Sequence, residues 1–160
     1  MNLYIMRHGE ANRDAKIDSE RSLTSIGEQQ AITVGEYLNR ADITFDLAVV
    51  SPYKRAQQTA NNVLKQFPSV KRIESTNITP ESPMFIAQES LDALGESNVL
   101  LISHLPLVAS LTGYLTADDV ASDGQCWSPA TIAYLSGDNF LPGCMKVQWI
   151  KSPSELADNL

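Results

Sequence analysis

Two histidines and two arginines are the residues of this chain best suited to covalent chemistry. The 160-residue sequence contains only two histidines, His8 and His104, and each follows a short apolar run. Arg7 directly precedes the first histidine, and Arg55 comes shortly after a third apolar run. A neutral imidazole can act as a nucleophile, and the planar fork of a guanidinium matches the oxygens of a phosphate. These residue types favour attack on a phosphoryl group in a cationic pocket.

The three apolar runs predict how these residues meet. Runs at 3–6, 46–50 and 99–102 are typical of buried parallel strands. The carboxyl ends of parallel strands share one edge of a sheet, where ligands bind. A single histidine at a strand end is usually an ordinary loop residue, but two histidines and two arginines at equivalent strand ends favour one crevice. A helix predicted to begin at Pro52 adds free N–H groups and the positive end of a helix dipole there.

Strands and helices alternate along the chain, which favours an α/β fold. We predict a three-layer sandwich with a mostly parallel central sheet and helices on both faces. The length suits one domain with its own core, which we place at residues 1–151, followed by a loose C-terminal tail at 152–160. Besides the elements above, the pattern predicts a short strand near 71–73, edge or antiparallel strands at 130–135 and 146–150, and helices at about 25–40, 85–94 and 106–115.

Charge and composition exclude several function classes. Twelve basic and nineteen acidic residues give a net charge of −7, which argues against binding to nucleic acids or anionic membranes, since both require basic patches. The sequence has no secretory signal and no apolar run of the roughly 18–20 residues that cross a bilayer, so we expect a cytoplasmic protein. We also expect a monomer. Cys126 and Cys144 have neither metal-ligand nor CxxC spacing, and we expect no metal and no cofactor.

Four motifs in the same order resemble those of the histidine phosphatase superfamily, the phosphoglycerate-mutase-like proteins. They are Arg7-His8-Gly9 after the first strand, Leu23-Thr24 with Gly27, the segment Ser51-Pro52-Tyr53-Lys54-Arg55-Ala56-Gln57-Gln58-Thr59-Ala60, and Ser103-His104. The ten-residue segment is the most specific of them, and the four together extend from residue 3 to about 135. The chain length and the stretches at 21–24 and 103–108 resemble the short bacterial phosphohistidine phosphatases within this superfamily.

The resemblance implies a phosphoglycerate-mutase-like fold and a metal-independent phosphatase in which His8 becomes phosphorylated. It implies that Arg7, Arg55 and His104 stabilise the phosphoryl oxygens, with His104 counted as catalytic as well as phosphate-binding. Arg21, in the loop before the first helix, is either a further phosphate-binding residue or a solvated arginine.

Three other polar residues near these motifs are expected to have structural roles. Ser51 is expected to cap the helix that follows it, and Thr59 to pack its hydroxyl near Arg55. Glu10 is expected to be a hydrogen-bonding partner beside the nucleophile, with a role as acid as the alternative.

The general acid is the part of the family pattern that this sequence lacks. Larger members carry a glutamate in an L-x-E element after the second helix, and the matching stretch here has Pro80 at that position. Glu81 follows it and is a candidate acid. A sugar-phosphate alkoxide needs a proton donor in order to leave, whereas the imidazole of phosphohistidine leaves more readily. A site without a strong acid therefore favours cleavage of a P–N bond.

The short chain also leaves little sequence for a lid, and an open pocket suits a phosphate displayed on another protein. We expect the partner to be a phosphorylated histidine-containing protein, such as a phosphotransfer domain or carrier of a bacterial relay. Two alternatives stay open: a small-molecule phosphomonoesterase of the same superfamily, and a non-catalytic phosphoprotein-binding module. A cysteine phosphatase is excluded because neither cysteine is followed six residues later by an arginine.

Overall fold

One mixed sheet of six strands forms the centre of the molecule. The computed structural model describes residues 1–117 and 123–158. The strands are β1 (Asn2–Arg7), β2 (Leu47–Val50), β3 (Lys71–Glu74), β4 (Asn98–Ser103), β5 (Ile132–Gly137) and β6 (Met145–Lys151). They lie in the order β3-β2-β4-β1-β5-β6. The pairs among β1 to β4 are parallel, whereas β5 is antiparallel to both β1 and β6. The prediction of a mostly parallel sheet is confirmed.

Helices cover both faces of this sheet. They are α1 (Ser25–Arg40), α2 (Lys54–Val63), α3 (Met84–Asp92), α4 (Leu107–Thr116) and α5 (Pro153–Ala157). Successive side chains of a strand point to opposite faces. In β1, Leu3 and Ile5 accordingly belong to the core under α3 and α4, while Tyr4 and Met6 belong to the core under α1, α2 and α5. The predicted three-layer sandwich is confirmed. Within the described ranges, no helix combines the length and the apolar character needed to cross a bilayer.

The strand register brings the carboxyl ends of β1, β2 and β4 to one edge. Arg7 pairs with Ser103 between β1 and β4, and Val50 pairs with Ile102 between β2 and β4. The residues that come next in the chain therefore emerge side by side, and among them are His8, Ser51 and His104.

Helix α1 begins where the sequence predicts, whereas helix α2 begins later than predicted. Helix α1 has the predicted bounds, and its N-cap is Thr24, whose side chain accepts a hydrogen bond from the Gly27 N–H. Helix α2 begins at Lys54 instead of Pro52, and its N-cap Tyr53 makes no side-chain cap bond. The prediction that Ser51 caps this helix is wrong, because the N-cap position is Tyr53. The Ser51 hydroxyl lies 2.7 Å from His104 Nε2 and accepts a longer hydrogen bond, of 3.5 Å, from the Tyr53 N–H ahead of the helix.

The C-terminal residues also differ from the expectation of a loose tail. Ser152 and Glu155 form a capping box in which each side chain bonds to the other's backbone N–H, and Pro153 occupies the first turn of α5. Leu156 is fully buried in the core that α1 shares with the sheet. An S-x-x-E sequence with proline at the first helical position favours a helix start, and the apolar residue on this helix anchors it.

Candidate active site

Backbone hydrogen bonds fix the position of His8 at the end of β1. Its N–H donates to the Ser103 carbonyl at 2.9 Å, and its own carbonyl accepts from the Ala130 N–H at 3.0 Å. The next residue, Gly9, donates its N–H to the Thr59 hydroxyl at 3.1 Å. That hydroxyl donates in turn to the Arg55 carbonyl at 2.7 Å. The candidate nucleophile is therefore tied to β4, to the loop before β5 and to α2.

Two glycines allow the loop after His8 to touch the start of α1. A Cβ atom on Gly9 would lie 2.5 Å from the Gly27 carbonyl oxygen, and one on Gly27 would lie 2.1 Å from the Glu10 carbonyl oxygen. Both distances are far below van der Waals contact, so side chains at these positions would push the two segments apart. The contact is completed by Glu10, whose carboxylate accepts a hydrogen bond from the Thr24 hydroxyl at 2.8 Å. Its role as a hydrogen-bonding partner is thus visible in the structure.

The tautomer of His8 leaves one ring nitrogen available for chemistry. Nδ1 lies 2.7 Å from the Gly9 carbonyl oxygen, so it carries the proton and donates. Nε2 then has a lone pair, and it accepts a hydrogen bond from Arg55 Nε at 3.1 Å. Burial lowers the pKa of His8 to about 3; the bond to Gly9 opposes this shift, and the charges of Arg55 and Arg7 add to it. The imidazole is therefore neutral at pH 7, as a nucleophile requires.

Arg55 is the buried cation nearest to His8. Besides the contact with His8, its Nη1 donates to the Asp18 carbonyl oxygen at 2.6 Å and its Nη2 to the Asp18 carboxylate at 2.9 Å. Hydrogen bonds from Arg55 and Arg21 outweigh the opposing effect of burial and lower the pKa of Asp18. The guanidinium is thus fixed on both sides, by the candidate nucleophile and by the loop before α1.

Arg7 and His104 complete the ring of predicted phosphate-binding residues. Arg7 Nη1 donates to the carbonyl of the fully buried Trp127. His104 Nε2 lies 2.7 Å from the Ser51 hydroxyl, and its ring centroid lies 5.0 Å from that of His8. Burial lowers the pKa of His104 to about 2, with further lowering by His8 and the arginines. Burial, with the neighbouring charge of Arg55, also lowers the pKa of Arg7.

Two buried polar atoms in this group lack a hydrogen-bond partner. Across the described side chains, Arg7 Nε and His104 Nδ1 are the buried nitrogen or oxygen atoms without one. Buried polar groups are normally paired, because an unpaired one carries a desolvation penalty of about 1–3 kcal/mol. Both atoms belong to residues that the motifs assign to phosphate binding. A bound oxyanion between the two side chains would provide acceptors for such groups.

Arg21 and Glu81 make their hydrogen bonds to residues other than His8. Arg21 donates from Nη1 to Asp18 at 3.0 Å and from Nε to the Asn12 carbonyl at 2.6 Å. It therefore holds Asp18, the partner of Arg55, and makes no hydrogen bond to His8. Glu81 is exposed, and its carboxylate accepts a hydrogen bond from the Tyr53 hydroxyl at 3.2 Å.

A cavity of about 500 Å³ opens beside the nucleophile. Its lining consists of Arg7, His8, Glu10, Ala11, Asn12, Arg13, Asp14, Arg21, Thr24 and Pro129. Most of these residues come from the loop that joins β1 to α1. The described ranges contain no group of three or more His, Cys, Asp or Glu residues placed to hold a metal ion, and both cysteines are exposed.

Three residues of the site were missed by the sequence analysis. Asp18 holds Arg55, and the only signal for it was its i,i+3 spacing to Arg21. The ring of Tyr53 packs edge-on against His104 at 5.0 Å and lies 5.0 Å from the Arg55 guanidinium carbon. Tyr53 occupies a variable position of the S-P-x-x-R motif, which is why the motif did not single it out. Trp127 contributes a backbone carbonyl, for which a sequence carries no signal.

The chain is similar in sequence to known proteins over most of its length, well beyond the four motifs. Residues 3–77 match the family model of the histidine phosphatase superfamily (branch 1). The chain is 36% identical over 153 residues to the phosphohistidine phosphatase SixA homolog of Haemophilus influenzae, which covers 86% of this chain and 89% of the relative. It is 37% identical over 123 residues to the phosphohistidine phosphatase SixA of Escherichia coli K12, which covers 74% and 73% of the two chains.

The fold shows the same similarity. The structure matches that of the protein histidine phosphatase SixA complexed with tungstate with a TM-score of 0.88 and 32% identity. The match covers 98% of this chain and 99% of the other. The resemblance to the short bacterial phosphohistidine phosphatases and the expected fold are therefore confirmed.

Proposed function

The chain belongs to the histidine phosphatase superfamily and is a phosphatase, and from this premise we propose that it removes phosphate from phosphorylated histidine side chains of a partner protein. The reaction proceeds through a covalent phosphohistidine on His8. The observation that carries the proposal is the buried neutral ring of His8, whose Nε2 lone pair faces Arg55. The names of the similar proteins support the same substrate class.

The first chemical step transfers the phosphoryl group to His8. The Nε2 lone pair attacks phosphorus and forms an N–P bond while the P–N bond of the substrate breaks. The substrate imidazole leaves with the electron pair of that bond and takes up a proton from solvent water. Water then attacks the phosphorus of phosphorylated His8, the electron pair returns to Nε2, and inorganic phosphate is released. The hydrogen bond from Nδ1 to Gly9 maintains the tautomer through both steps.

The side chains of Arg7, Arg55 and His104 stabilise the negative charge of the phosphoryl group during its transfer. Arg7 and Arg55 place guanidinium donors beside His8, and His104 adds an imidazole. Donors already fixed around the developing charge lower a phosphoryl-transfer barrier without reorganisation. A hydrogen bond to a charged group contributes about 1.5–3 kcal/mol, so loss of either arginine should lower the rate by about ten- to a hundredfold or more.

The position of the acidic groups supports P–N cleavage. Within the described residues, no carboxylate hydrogen-bonds to His8 or His104. The candidate acid Glu81 is exposed and bonded to Tyr53, and the carboxylate of Glu10 is engaged by Thr24. A phosphate ester would need a strong acid at the leaving oxygen, whereas a phosphorylated imidazole needs less assistance. If an acid acts, Glu81 is the residue we propose for it.

The surroundings of His8 support a substrate displayed by a protein. The cavity beside it is lined on one side by the loop at residues 10–14 and Arg21, and a phosphoimidazole side chain can project into such a space. We propose that the partner is a phosphotransfer domain or carrier of a signalling relay. A monomeric cytoplasmic enzyme is part of the same proposal.

The test is a panel of phosphohistidine proteins and small phosphate esters, assayed with a chelator and no added metal. We expect turnover of the phosphohistidine proteins and acid-labile phosphate trapped on His8. The His8→Asn variant should trap none, Arg55→Ala should react far more slowly, and Lys54→Ala, an exposed cation next to Arg55, should resemble the wild type. Faster turnover of a sugar phosphate would overturn the substrate class. Normal partner binding with no trapped phosphate would instead favour a binding module.

A further inference from the structure

Arg55 uses its two donor edges for different partners. A guanidinium has an end-on edge, formed by Nη1 and Nη2, and a side-on edge, formed by Nε and Nη2. The end-on edge donates to Asp18 twice, to its backbone carbonyl at 2.6 Å and to its carboxylate at 2.9 Å. The side-on edge points to the reacting atom, because Nε donates to His8 Nε2 at 3.1 Å. Asp18 and His8 therefore bind two adjacent edges of one guanidinium, which meet at Nη2.

We propose that Asp18 is a positioning residue, which selects the edge of Arg55 that faces the phosphoryl group. The proposal rests on the proposed function, since it concerns a phosphoryl group on His8 Nε2. With the end-on edge occupied by Asp18, the oxygens of that group meet the Nε and Nη2 donors of the side-on edge. Asp18 stays in place during the reaction, because the substrate approaches the edge that Asp18 leaves open.

The local structure of the loop presents both acceptors of Asp18 to the arginine. Residues Asp18–Glu20 form a 3-10 helix, in which the Asp18 carbonyl also accepts from the Arg21 N–H at 3.2 Å. The side chain of Asp18 is 52% exposed, whereas that of Arg55 is 4% exposed. A surface turn therefore holds a buried cation by its outer edge, and a change at Asp18 can be made without opening a cavity in the core.

Asp18 also links Arg55 to Arg21. Its second carboxylate oxygen accepts from Arg21 Nη1 at 3.0 Å, and Arg21 lines the cavity beside His8. Arg7, Arg21 and Arg55 together carry three positive charges, and Asp18 reduces their sum to two. A phosphoryl group carries close to two negative charges at pH 7. The cluster thus retains enough positive charge for its ligand while Asp18 fixes the geometry.

The competing interpretation is that Asp18 occupies the place of the substrate and must leave before it binds. The two interpretations predict opposite changes in oxyanion affinity when the Asp18 side chain is removed. A positioning residue, when removed, weakens oxyanion binding and slows phosphorylation of His8. A competitor, when removed, strengthens oxyanion binding.

The experiment compares Asp18→Ala and Asp18→Asn with the wild type. Tungstate affinity is measured by calorimetry, and phosphorylation of His8 by single-turnover kinetics on a phosphohistidine protein. We expect Asp18→Ala to lower the rate of phosphorylation by about tenfold or more and to weaken tungstate binding. Asp18→Asn keeps one neutral acceptor in its side chain, so its phosphorylation rate and tungstate affinity should lie between those of the wild type and Asp18→Ala. Glu20→Ala, which removes an exposed carboxylate from the same turn, should resemble the wild type.

A double-mutant cycle with Arg55→Ala shows whether Asp18 acts through Arg55. If it does, Asp18→Ala has no further effect on the rate in the Arg55→Ala background. An equal effect in both backgrounds, tighter tungstate binding by Asp18→Ala, or unchanged kinetics of that variant would each overturn the proposal. Thermal unfolding of each variant identifies a folding defect, in which case Asp18→Asn decides. Tungstate binding needs no turnover, so it tests Asp18 even if the wild type fails to act on phosphohistidine.

Discussion

At the scale of single residues, burial controls the protonation of His8 and His104. Their pKa values in the folded chain are about 3 and about 2, against about 6.5 for an exposed histidine in the unfolded chain. Between about pH 3 and pH 6.5 both rings are neutral in the folded chain and protonated in the unfolded chain. Unfolding in this pH range therefore takes up two protons. The contribution of the neutral rings to stability is complete above about pH 6.5 and is lost as the pH falls below it.

This sign gives a prediction for unfolding by urea at pH 7 and pH 5. The change from pH 7 to pH 5 should lower the free energy of unfolding by about 2 kcal/mol for each histidine. Since the chain has only two histidines, a His104→Asn variant should lose about half of that histidine contribution, while the carboxylates contribute equally to both proteins. An identical pH dependence of the variant and the wild type would contradict the low pKa of His104.

The central residues were predictable, and their supports were not. His8 and His104 were found because each follows a strand, and Arg55 because it lies in a specific motif. The contacts of Asp18 depend on the path of the loop between β1 and α1, which includes an isolated bridge between Ala11 and Leu23. Hydrophobic patterning contains no information on such a path. The same holds for Arg21, whose hydrogen bonds to Asp18 and to the Asn12 carbonyl depend on the same loop.

At the scale of elements, the contact between α1 and the loop after His8 has a steric requirement that can be tested. Replacement of a glycine inside a helix by alanine normally stabilises the helix by about 1 kcal/mol. At Gly27 the added Cβ would lie 2.1 Å from the Glu10 carbonyl oxygen, so we expect Gly27→Ala to destabilise the protein instead, by about 1–3 kcal/mol. Phosphorylation of His8 should slow as well, because the displaced loop carries Gly9.

The matched control for this prediction is Gly124→Ala. A Cβ there would lie 3.7 Å from the Leu105 side chain, an ordinary contact distance, so its free energy of unfolding should change by less than about 0.5 kcal/mol. Both variants are measured by urea unfolding and by single-turnover kinetics. Stabilisation of the protein by Gly27→Ala would show that the contact is not tight.

The elements that differ from the sequence expectation do so because of tertiary contacts. The Ser51-Pro52 pair resembles a helix start, but the Ser51 hydroxyl binds His104, and α2 begins later. The C-terminal residues contain a visible capping box at Ser152, and the burial of Leu156 against α1 completes a helix there. A local signal is sufficient to suggest a helix, whereas the partner that stabilises it lies more than a hundred residues away in the chain.

At the scale of the whole molecule, the site depends on the complete sheet. Two separate cores lie on opposite faces of the same strands, and the ends of β1, β2 and β4 supply the segments that carry His8, Ser51 and His104. A ligand that bridges these segments binds the native chain and not the unfolded one. Such a ligand should therefore raise the free energy of unfolding of the entire domain.

Tungstate is a suitable ligand for this prediction, because a similar protein of known structure is complexed with it. At a hundred times its dissociation constant it should raise the free energy of unfolding by about 2.7 kcal/mol, measured by urea unfolding. Arg55→Ala should lose most of this gain, whereas Lys54→Ala should keep it. Sodium chloride at equal ionic strength separates binding from screening of the net charge of −7. Equal stabilisation of wild type and Arg55→Ala would place the oxyanion elsewhere, whereas a selective loss would locate it at the edge of the sheet where the three strands end.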